Sequence, residues 1–186
     1  MTSFDLNIAA DFFTQLQLPQ KQAIDLNELD RHYRELQARV HPDKHAGGSA
    51  MDQRLAMQWA TRINEAYQTL KSPLARARYL LLLNDHDVQV ESNTAMPEEF
   101  LLAQMELREA VEDAKVGAGG TAQRKLSLLA TQVRNEMRSD QERLTELIDN
   151  AKDFSAAGAL VRQLMFQQKL TDEIDDAVDE LDEALN

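Results

Sequence analysis

The sequence predicts an all-α protein, and three observations support that prediction. Aromatic residues make up only 5% of the 186 residues, and no run alternates valine, isoleucine and threonine as a strand would. Proline and glycine interrupt the chain at few places. Between those places, apolar residues recur at spacings of three and four, the period of one helix face. We expect an N-terminal antiparallel helical hairpin with short flanking helices, followed by a C-terminal antiparallel three-helix bundle.

Four helices are expected in the first part. DFFTQLQLP predicts a short helix that stops near Pro19, because an interior proline lacks an amide donor and clashes with the preceding turn. Asp25 is placed to cap the second helix, with Glu28 three residues on. A third helix should run from about residue 50 to 70, and Ser72 with Pro73 should open a short fourth. The facing apolar stripes of the second and third helices are Leu26, Leu29, Tyr33, Leu36 and Val40, and Leu55, Trp59, Ile63, Ala66 and Leu70.

The second part should be the three-helix bundle, with helices from about 97 to 115, 121 to 150 and 154 to 184. Its middle helix has an apolar stripe formed by Leu126, Leu129, Val133, Met137, Leu144 and either Leu147 or Ile148. The polar stretch NDHDVQVESNTAM separates the two parts. We therefore expect an N-terminal domain over residues 1–83, a linker over 84–96 and a C-terminal domain over 97–186.

Charge is distributed unevenly along the chain. Residues 1–80 carry 10 basic and 9 acidic side chains, whereas residues 81–186 carry 10 basic and 23 acidic ones. The two parts should therefore present surfaces of different sign to different partners. The acidic part argues against binding to nucleic acid, because phosphate contacts need lysine and arginine.

The absence of cysteine limits the chemistry available to this chain. Without a thiol there is no disulfide, no thiolate ligand for zinc or an iron–sulfur cluster, and no thiol nucleophile. No apolar run approaches the roughly 20 residues that cross a bilayer, and MTSFDLNIAADFF lacks a basic leader. We expect a cytoplasmic protein with no cofactor of its own and no membrane partner.

The stretch RVHPDKHAGG, residues 39–48, contains several side chains that can bind a metal or catalyse a reaction. A metal site would use His41, Asp43 and His45, joined by His32. Two features argue against this site, since proline extends His41 away from the helix and no fixed spacing directs these groups to one point. A catalytic pair of His41 and Asp43 is disfavoured because Ser49 is the only nearby hydroxyl and an exposed loop excludes little water.

A helix terminus explains part of the same stretch. Basic side chains at Arg39 and His41 suit the negative end of a helix dipole, and Pro42 stops the helix. A carboxylate at Asp43 is mildly unfavourable there. The helix end therefore leaves Asp43 unexplained.

The first helix of the predicted bundle is apolar on two sides. Phe100, Ala103, Leu107, Ala110, Val111 and Ala114 form one stripe suited to the bundle core. Leu101, Leu102 and Met105 fall near the opposite face, and Glu106, Glu109, Glu112 and Asp113 lie among or beside them. An outward apolar patch with an acidic rim is typical of a partner site. The alternative is that another helix of the bundle covers the patch.

HPDK at residues 41–44, between LDRHYRELQARV and the helix with INEAYQTL, followed by SPLARARYL, closely resembles a J domain. In that family the loop and the basic face of the preceding helix engage a DnaK-class chaperone and stimulate its ATP hydrolysis. The resemblance implies that His41, Pro42 and Asp43 are the trigger. It implies positive contacts from Arg31, Arg34, Arg39 and Lys44.

The whole chain resembles the HscB family, through the J domain, FLLAQMELREAVEDA and LVRQLMFQQKL. In that family the C-terminal bundle binds the IscU-type iron–sulfur scaffold and presents it to the chaperone HscA. The resemblance implies client contacts at Leu101, Leu102, Met105, Glu106, Glu109, Asp113 and Phe166. For Phe166, which lies off the main stripe of its helix, packing in the core is the competing interpretation.

These observations lead us to expect a monomeric, non-enzymatic co-chaperone. Some eukaryotic members of the family carry an N-terminal cysteine-rich extension, which this sequence lacks, so we expect a bacterial cytoplasm. One alternative is a general J protein or helical adaptor whose bundle serves a different client. A metal-dependent hydrolase built on His41, Asp43 and His45 is the alternative from another class.

Overall fold

The structure, a computed structural model, describes residues 7–41, 47–88, 96–115 and 120–185, without the side chains of Gly120 and of 181–185. Seven α-helices lie in these ranges, namely α1 Phe12–Gln15, α2 Leu26–Val40, α3 Ala50–Lys71, α4 Pro73–Leu83, α5 Glu98–Lys115, α6 Gly120–Thr145 and α7 Phe154–Leu185. The described ranges contain no strand. The prediction of an all-α protein is confirmed. The chain divides between Leu83 and Asn84 into two compact units.

Helices α2 and α3 form the antiparallel hairpin of the first unit. The Tyr67 hydroxyl donates to the Asp30 carboxylate at 2.8 Å, and the Tyr33 hydroxyl donates to the Asn64 side chain at 2.9 Å. The rings of Tyr33 and Tyr67 stack with their centroids 3.9 Å apart. Trp59 on α3 is buried. The two helices are therefore joined by polar and aromatic contacts as well as by their apolar stripes.

Most of the predicted stripe residues are buried, Tyr33 and Leu55 are partly buried, and Leu26 is exposed. Leu26 is exposed, although Leu29, Leu36 and Val40 on the same stripe are buried. Asp30 is level with Tyr67 across the hairpin. Leu26, one turn before Asp30, is therefore level with Lys71, where α3 ends. The partner helix is too short to cover the first residue of α2.

Both flanking helices pack against the hairpin. Phe12 lies 4.5 Å from the ring of Tyr79 on α4, and its backbone amide donates to the Tyr79 hydroxyl at 3.0 Å. On α4, the side chain of Ser72 accepts from the amide of Ala75 at 3.3 Å, as predicted for an N-cap. Buried Arg76 donates to the carbonyl of Leu70 at 2.5 Å. These contacts join α1 to α4 and α4 to the end of α3.

The N-cap of α2 can be tested directly by mutation. Asp25 accepts hydrogen bonds from the amides of Asn27 at 2.8 Å and Glu28 at 3.4 Å. Replacing Asp25 with Ala should lower the free energy of unfolding by about 1 kcal/mol, because those amides lose their acceptor. Urea unfolding of the full chain followed by the fluorescence of Trp59 measures the change. Asp25→Asn, which keeps a capping oxygen, should stay near wild type, and an equal loss in both variants would contradict the cap.

The second unit is the predicted three-helix bundle of α5, α6 and α7. On α6 the buried stripe is Leu126, Val133 and Met137, and it continues through Leu144 to Ile148 rather than Leu147. The predicted helix over 121–150 is not α-helical throughout. After Thr145 it widens into a π-helical turn, Glu146–Ala151. The turn ends at Lys152, whose φ of 54° lies in the left-handed region that terminates helices.

On α5 the core stripe differs from the expectation at one point. Val111 and Ala114 are buried and Phe100, Leu107 and Ala110 are partly buried, but Ala103 is exposed and Gln104 is buried in its place. The helix is rotated slightly toward Gln104, so the polar side chain faces the bundle. Among the described residues, no helix is long and apolar enough to span a membrane.

Candidate functional site

The outer face of α2 presents the arginines predicted to contact a partner. Arg31 is exposed and pairs with Glu28 at 3.5 Å and with Glu35 at 3.7 Å. Exposed pairs of this kind contribute little to stability. Arg34 is also exposed, and its Nε donates to the carbonyl of Asp30 at 3.1 Å. Both arginines can therefore exchange these weak contacts for a partner's acceptors.

The end of α2 directs the chain into the HPDK stretch. Val40 is buried, whereas Arg39 and His41 are exposed. His41 ends the helix with φ of −56° and ψ of 126°. That extended conformation is the one favoured before a proline, because a helical residue there would clash with the proline ring. The predicted helix terminus is confirmed, and the His41 imidazole is left at the surface.

Four residues singled out in the sequence lie outside the described residues: Pro42, Asp43, Lys44 and His45. Their roles remain predictions. The structure does describe both flanks of the stretch, since α2 ends at Val40 and α3 begins at Ala50.

The other polar groups near this stretch have structural partners. The Ser49 hydroxyl accepts from the amide of Asp52 at 3.2 Å, and the backbone amide of Ser49 donates to the Asp52 carboxylate at 3.1 Å. These two bonds form a capping box at the start of α3. His32 contacts the carbonyl of Leu16 through Nδ1 at 2.7 Å. Within the described ranges, no three histidine, aspartate or glutamate side chains could together hold a metal ion.

The outward face of α5 is an apolar patch, which we define as Leu101, Leu102 and Met105. Their exposed fractions are 39%, 53% and 67%. The alternative in which another helix of the bundle covers them is wrong. Glu106, Glu109 and Asp113 are exposed on the same helix. The patch and its acidic rim lie at the surface as the helical wheel predicts.

Phe166 on α7 lies at the edge of α5. Its ring meets that of Phe100 edge to face, with the centroids 6.0 Å apart. The guanidinium of Arg108 lies 5.1 Å from the centre of the Phe166 ring and pairs with Glu173 at 3.2 Å. Phe166 is half-buried, so it contributes to the packing of α7 on α5 and still presents part of its ring to solvent.

Two residues near this surface were not singled out from the sequence. Arg108 on α5 contacts Phe166 and Glu173 on α7. The feature of the sequence that could have identified it is a single arginine among the many acidic side chains of α5. Gln104 is 4% exposed and lines a groove between the helices of the bundle. It lies four residues after Phe100 and seven before Val111, which places it on the core stripe. A polar side chain at this position does not contribute to an apolar periodicity, so the periodicity does not identify Gln104.

Two family models match the chain over separate ranges. A model described as the DnaJ domain matches residues 11–79. A second, described as the HSCB C-terminal oligomerisation domain, matches residues 96–175. The first range covers α1, α2, α3 and part of α4. The second covers α5, α6 and part of α7.

Similar proteins extend over nearly the whole chain. A "Co-chaperone protein HscB homolog" from Ralstonia nicotianae is 46% identical over 179 residues, covering 96% of this chain and 100% of the relative. One from Aromatoleum aromaticum is 42% identical over 177 residues, covering 95% and 98%. The solved structure of chaperone HscB from Vibrio cholerae is similar with a TM-score of 0.82 and 34% identity, covering 92% and 99%. Human co-chaperone protein HscB, at 22% identity and a TM-score of 0.82 over 91% and 82%, shows the fold alone.

Proposed function

Because the chain belongs to the HscB co-chaperone family, we propose that it stimulates the ATPase of an HscA-type chaperone and delivers an IscU-type iron–sulfur scaffold to it. The family and the J domain make the chain a co-chaperone whose partner is a chaperone of the DnaK class. The proposal adds three points: the chaperone is of the HscA type, the client is an IscU-type scaffold, and the outcome is the maturation of iron–sulfur proteins. The reaction itself takes place on the partner.

The first unit carries the proposed trigger. His41, Pro42 and Asp43 engage the ATPase, and Arg31, Arg34, Arg39 and Lys44 supply positive contacts. The support for this assignment is the exposed His41 at an extended helix end, beside exposed arginines on α2. Proline limits the conformations of the free loop, which lowers the entropy lost on docking.

The client-binding surface is proposed on the second unit, and the exposed patch of Leu101, Leu102 and Met105 is the observation that carries it. Apolar side chains at the centre of an interface supply most of its binding energy, and a polar rim excludes water around them. Glu106, Glu109 and Asp113 form that rim, and the exposed part of Phe166 extends the surface onto α7. The acidic rim fits a client with basic side chains.

Coupling between the two activities follows from their presence on one chain. We propose domains at 1–83 and 97–186 with a linker at 84–96, which agrees with a division of the structure between Leu83 and Asn84. A client held on the bundle is then presented to the chaperone at a high effective concentration. The protein acts in this scheme as a monomer in a bacterial cytoplasm, without a cofactor.

A reconstituted ATPase assay tests the whole proposal. With a purified HscA-type chaperone, the chain alone should accelerate ATP hydrolysis, and chain plus IscU-type scaffold should accelerate it further than either addition alone. Calorimetry should show the scaffold binding to the chain. Acceleration by the chain without any scaffold binding would favour the general J protein with another client, and no acceleration would contradict the trigger. Stoichiometric zinc retained after dialysis against a chelator would favour the metal site instead.

A further inference from the structure

The methionines of this chain differ in their exposure. The 186 residues contain seven methionines and no cysteine, so thioethers are the only sulfur groups that the sequence offers to an oxidant. Among the described methionines, Met51, Met57 and Met105 are exposed, Met96 and Met165 are partly buried, and Met137 is buried. An accessible thioether can be oxidised to a sulfoxide, which is polar where the thioether is apolar. Three side chains are therefore open to this change.

Met105 differs from the other two exposed methionines in its position. Met51 and Met57 lie on α3 of the first unit. Met105 follows Leu101 by four residues and Leu102 by three, so these three side chains occupy one face of α5. Met105 is also 67% exposed, the largest fraction in the apolar patch. A client that covers the patch would cover Met105, and without a client the side chain is open to small molecules.

The buried methionine of the same bundle is shielded from solvent. Met137 is 7% exposed, and its sulfur accepts a hydrogen bond from the hydroxyl of Thr171 at 3.5 Å. An oxidant at the surface therefore meets Met105 before it reaches the bundle core. Because most of the Met105 side chain lies outside that core, its oxidation should leave the packing of α5 on α6 and α7 intact.

We propose that Met105 is an oxidation site at which a peroxide lowers the affinity of the protein for its client. In this step hydrogen peroxide transfers one oxygen atom to the Sδ atom of Met105. The O–O bond breaks, an S–O bond forms, and the second oxygen leaves as water with both hydrogens. The sulfur loses the two electrons that the peroxide gains. The inference rests on the proposed function for the identity of the client.

The patch and its rim offer the new oxygen no hydrogen-bond donor. The leucines of the patch have no polar side-chain atoms, and the ionised carboxylates of the rim accept hydrogen bonds but do not donate them. Arg108, one turn after Met105, is engaged with Glu173 and with the ring of Phe166 on α7. A client surface that matches an apolar patch is itself apolar. The sulfoxide oxygen would therefore lose water on binding without a replacement, which should weaken affinity about tenfold or more.

The change at Met105 can be reversed chemically. A dithiol reductant, acting through a methionine sulfoxide reductase, supplies two electrons and two protons. The oxygen leaves as water, and the dithiol becomes a disulfide. Two types of reductase are needed, because each acts on one epimer of the sulfoxide. Oxidation would thus switch client binding off in a folded protein, and reduction would switch it on again.

Peptide mapping by mass spectrometry tests the accessibility of the site. After treatment of the full chain with hydrogen peroxide, sulfoxide should accumulate at Met105 as it does at Met51 and Met57, and several-fold faster than at Met137. Saturating scaffold should slow the oxidation of Met105 several-fold relative to Met51, which serves as the internal reference. Equal rates at Met105 and Met137 would overturn the proposal, as would a ratio of Met105 to Met51 that the scaffold does not change.

Calorimetry with the scaffold tests the consequence for binding, and each protein is compared with itself before treatment and after removal of the peroxide. Treated wild type should bind about tenfold or more weakly, with unchanged helix content by circular dichroism. Met105→Leu, which has no thioether at that position, should keep the affinity that it has before treatment. The double variant Met51→Leu and Met57→Leu should lose affinity as wild type does. Both reductases with dithiothreitol should restore binding by the oxidised wild type.

Three results of the calorimetry would overturn the proposal. They are unchanged affinity of wild type in which Met105 is mapped as sulfoxide, equal losses in wild type and Met105→Leu, and no recovery of affinity once Met105 is reduced. If the scaffold does not bind the untreated protein, the client of the proposed function is wrong and the inference fails with it. That outcome is distinguishable, because it is seen before any peroxide is added.

Discussion

Replacing His41 with Gln should reduce the stimulation of the partner ATPase to the basal rate. The imidazole is exposed at the end of α2, where the backbone before Pro42 is extended. A central contact of this kind is worth about 2 kcal/mol or more, which corresponds to a loss of roughly thirtyfold or greater in productive docking. A steady-state ATPase assay of the chaperone with increasing amounts of the variant measures the effect.

The fold should be unaffected by this change, because His41 makes no contribution to the buried core. Circular dichroism checks that point. His86→Gln is a matched control, since it makes the same substitution at another exposed histidine in the second unit. Full stimulation by His41→Gln with intact helix content would show that the trigger assignment is wrong.

Replacing Leu101, Leu102 and Met105 together with Ala should abolish measurable binding of the scaffold. The three side chains form the apolar centre of the proposed interface, and large apolar residues truncated at such a centre each cost about 1–2 kcal/mol. Three such losses exceed a hundredfold in affinity. The ATPase stimulation by the variant without scaffold should remain, since the change leaves the first unit untouched.

A matched control is available within the same bundle. Leu128 is an exposed leucine on α6, so Leu128→Ala removes a similar side chain outside the patch and should bind the scaffold normally. Isothermal titration calorimetry compares the two variants. Unchanged affinity in the triple variant would exclude α5 as the client-binding face, and equal losses in both variants would point to a non-specific effect on the bundle.

The sequence predicts local structure well where one residue determines the conformation of the backbone around it. Asp25 caps α2, Ser72 caps α4, and proline ends α2 after His41, because each of these effects depends on nearest neighbours. The apolar period likewise identifies Trp59, Ile63 and Leu70 as core residues. The patch on α5 follows from the same wheel.

Features that depend on neighbouring helices are harder to predict from the sequence. Leu26 has the periodicity of a core residue but is exposed, since α3 ends opposite it. Gln104 replaces Ala103 on the buried side because the rotation of α5 is set by its packing on α6 and α7. The π-helical turn at Glu146–Ala151 leaves no apolar signature of its own, since the buried positions Leu144 and Ile148 keep an ordinary spacing of four. The periodicity of one helix does not contain information about where its neighbours end or how they pack against it.

The ion pairs along α2 have a consequence for the distance at which a partner can recognise this helix. Residues 26–40 carry three acidic and three basic side chains, so the helix as a whole is formally neutral. Arg31, held between Glu28 and Glu35, is neutralised within its own turn. At physiological ionic strength such a balanced array has little field beyond about 8 Å. A partner surface therefore distinguishes the arginines of α2 from its acidic side chains only at close approach. The helix is recognised at short range, by contact with individual arginines, and not through a long-range positive field.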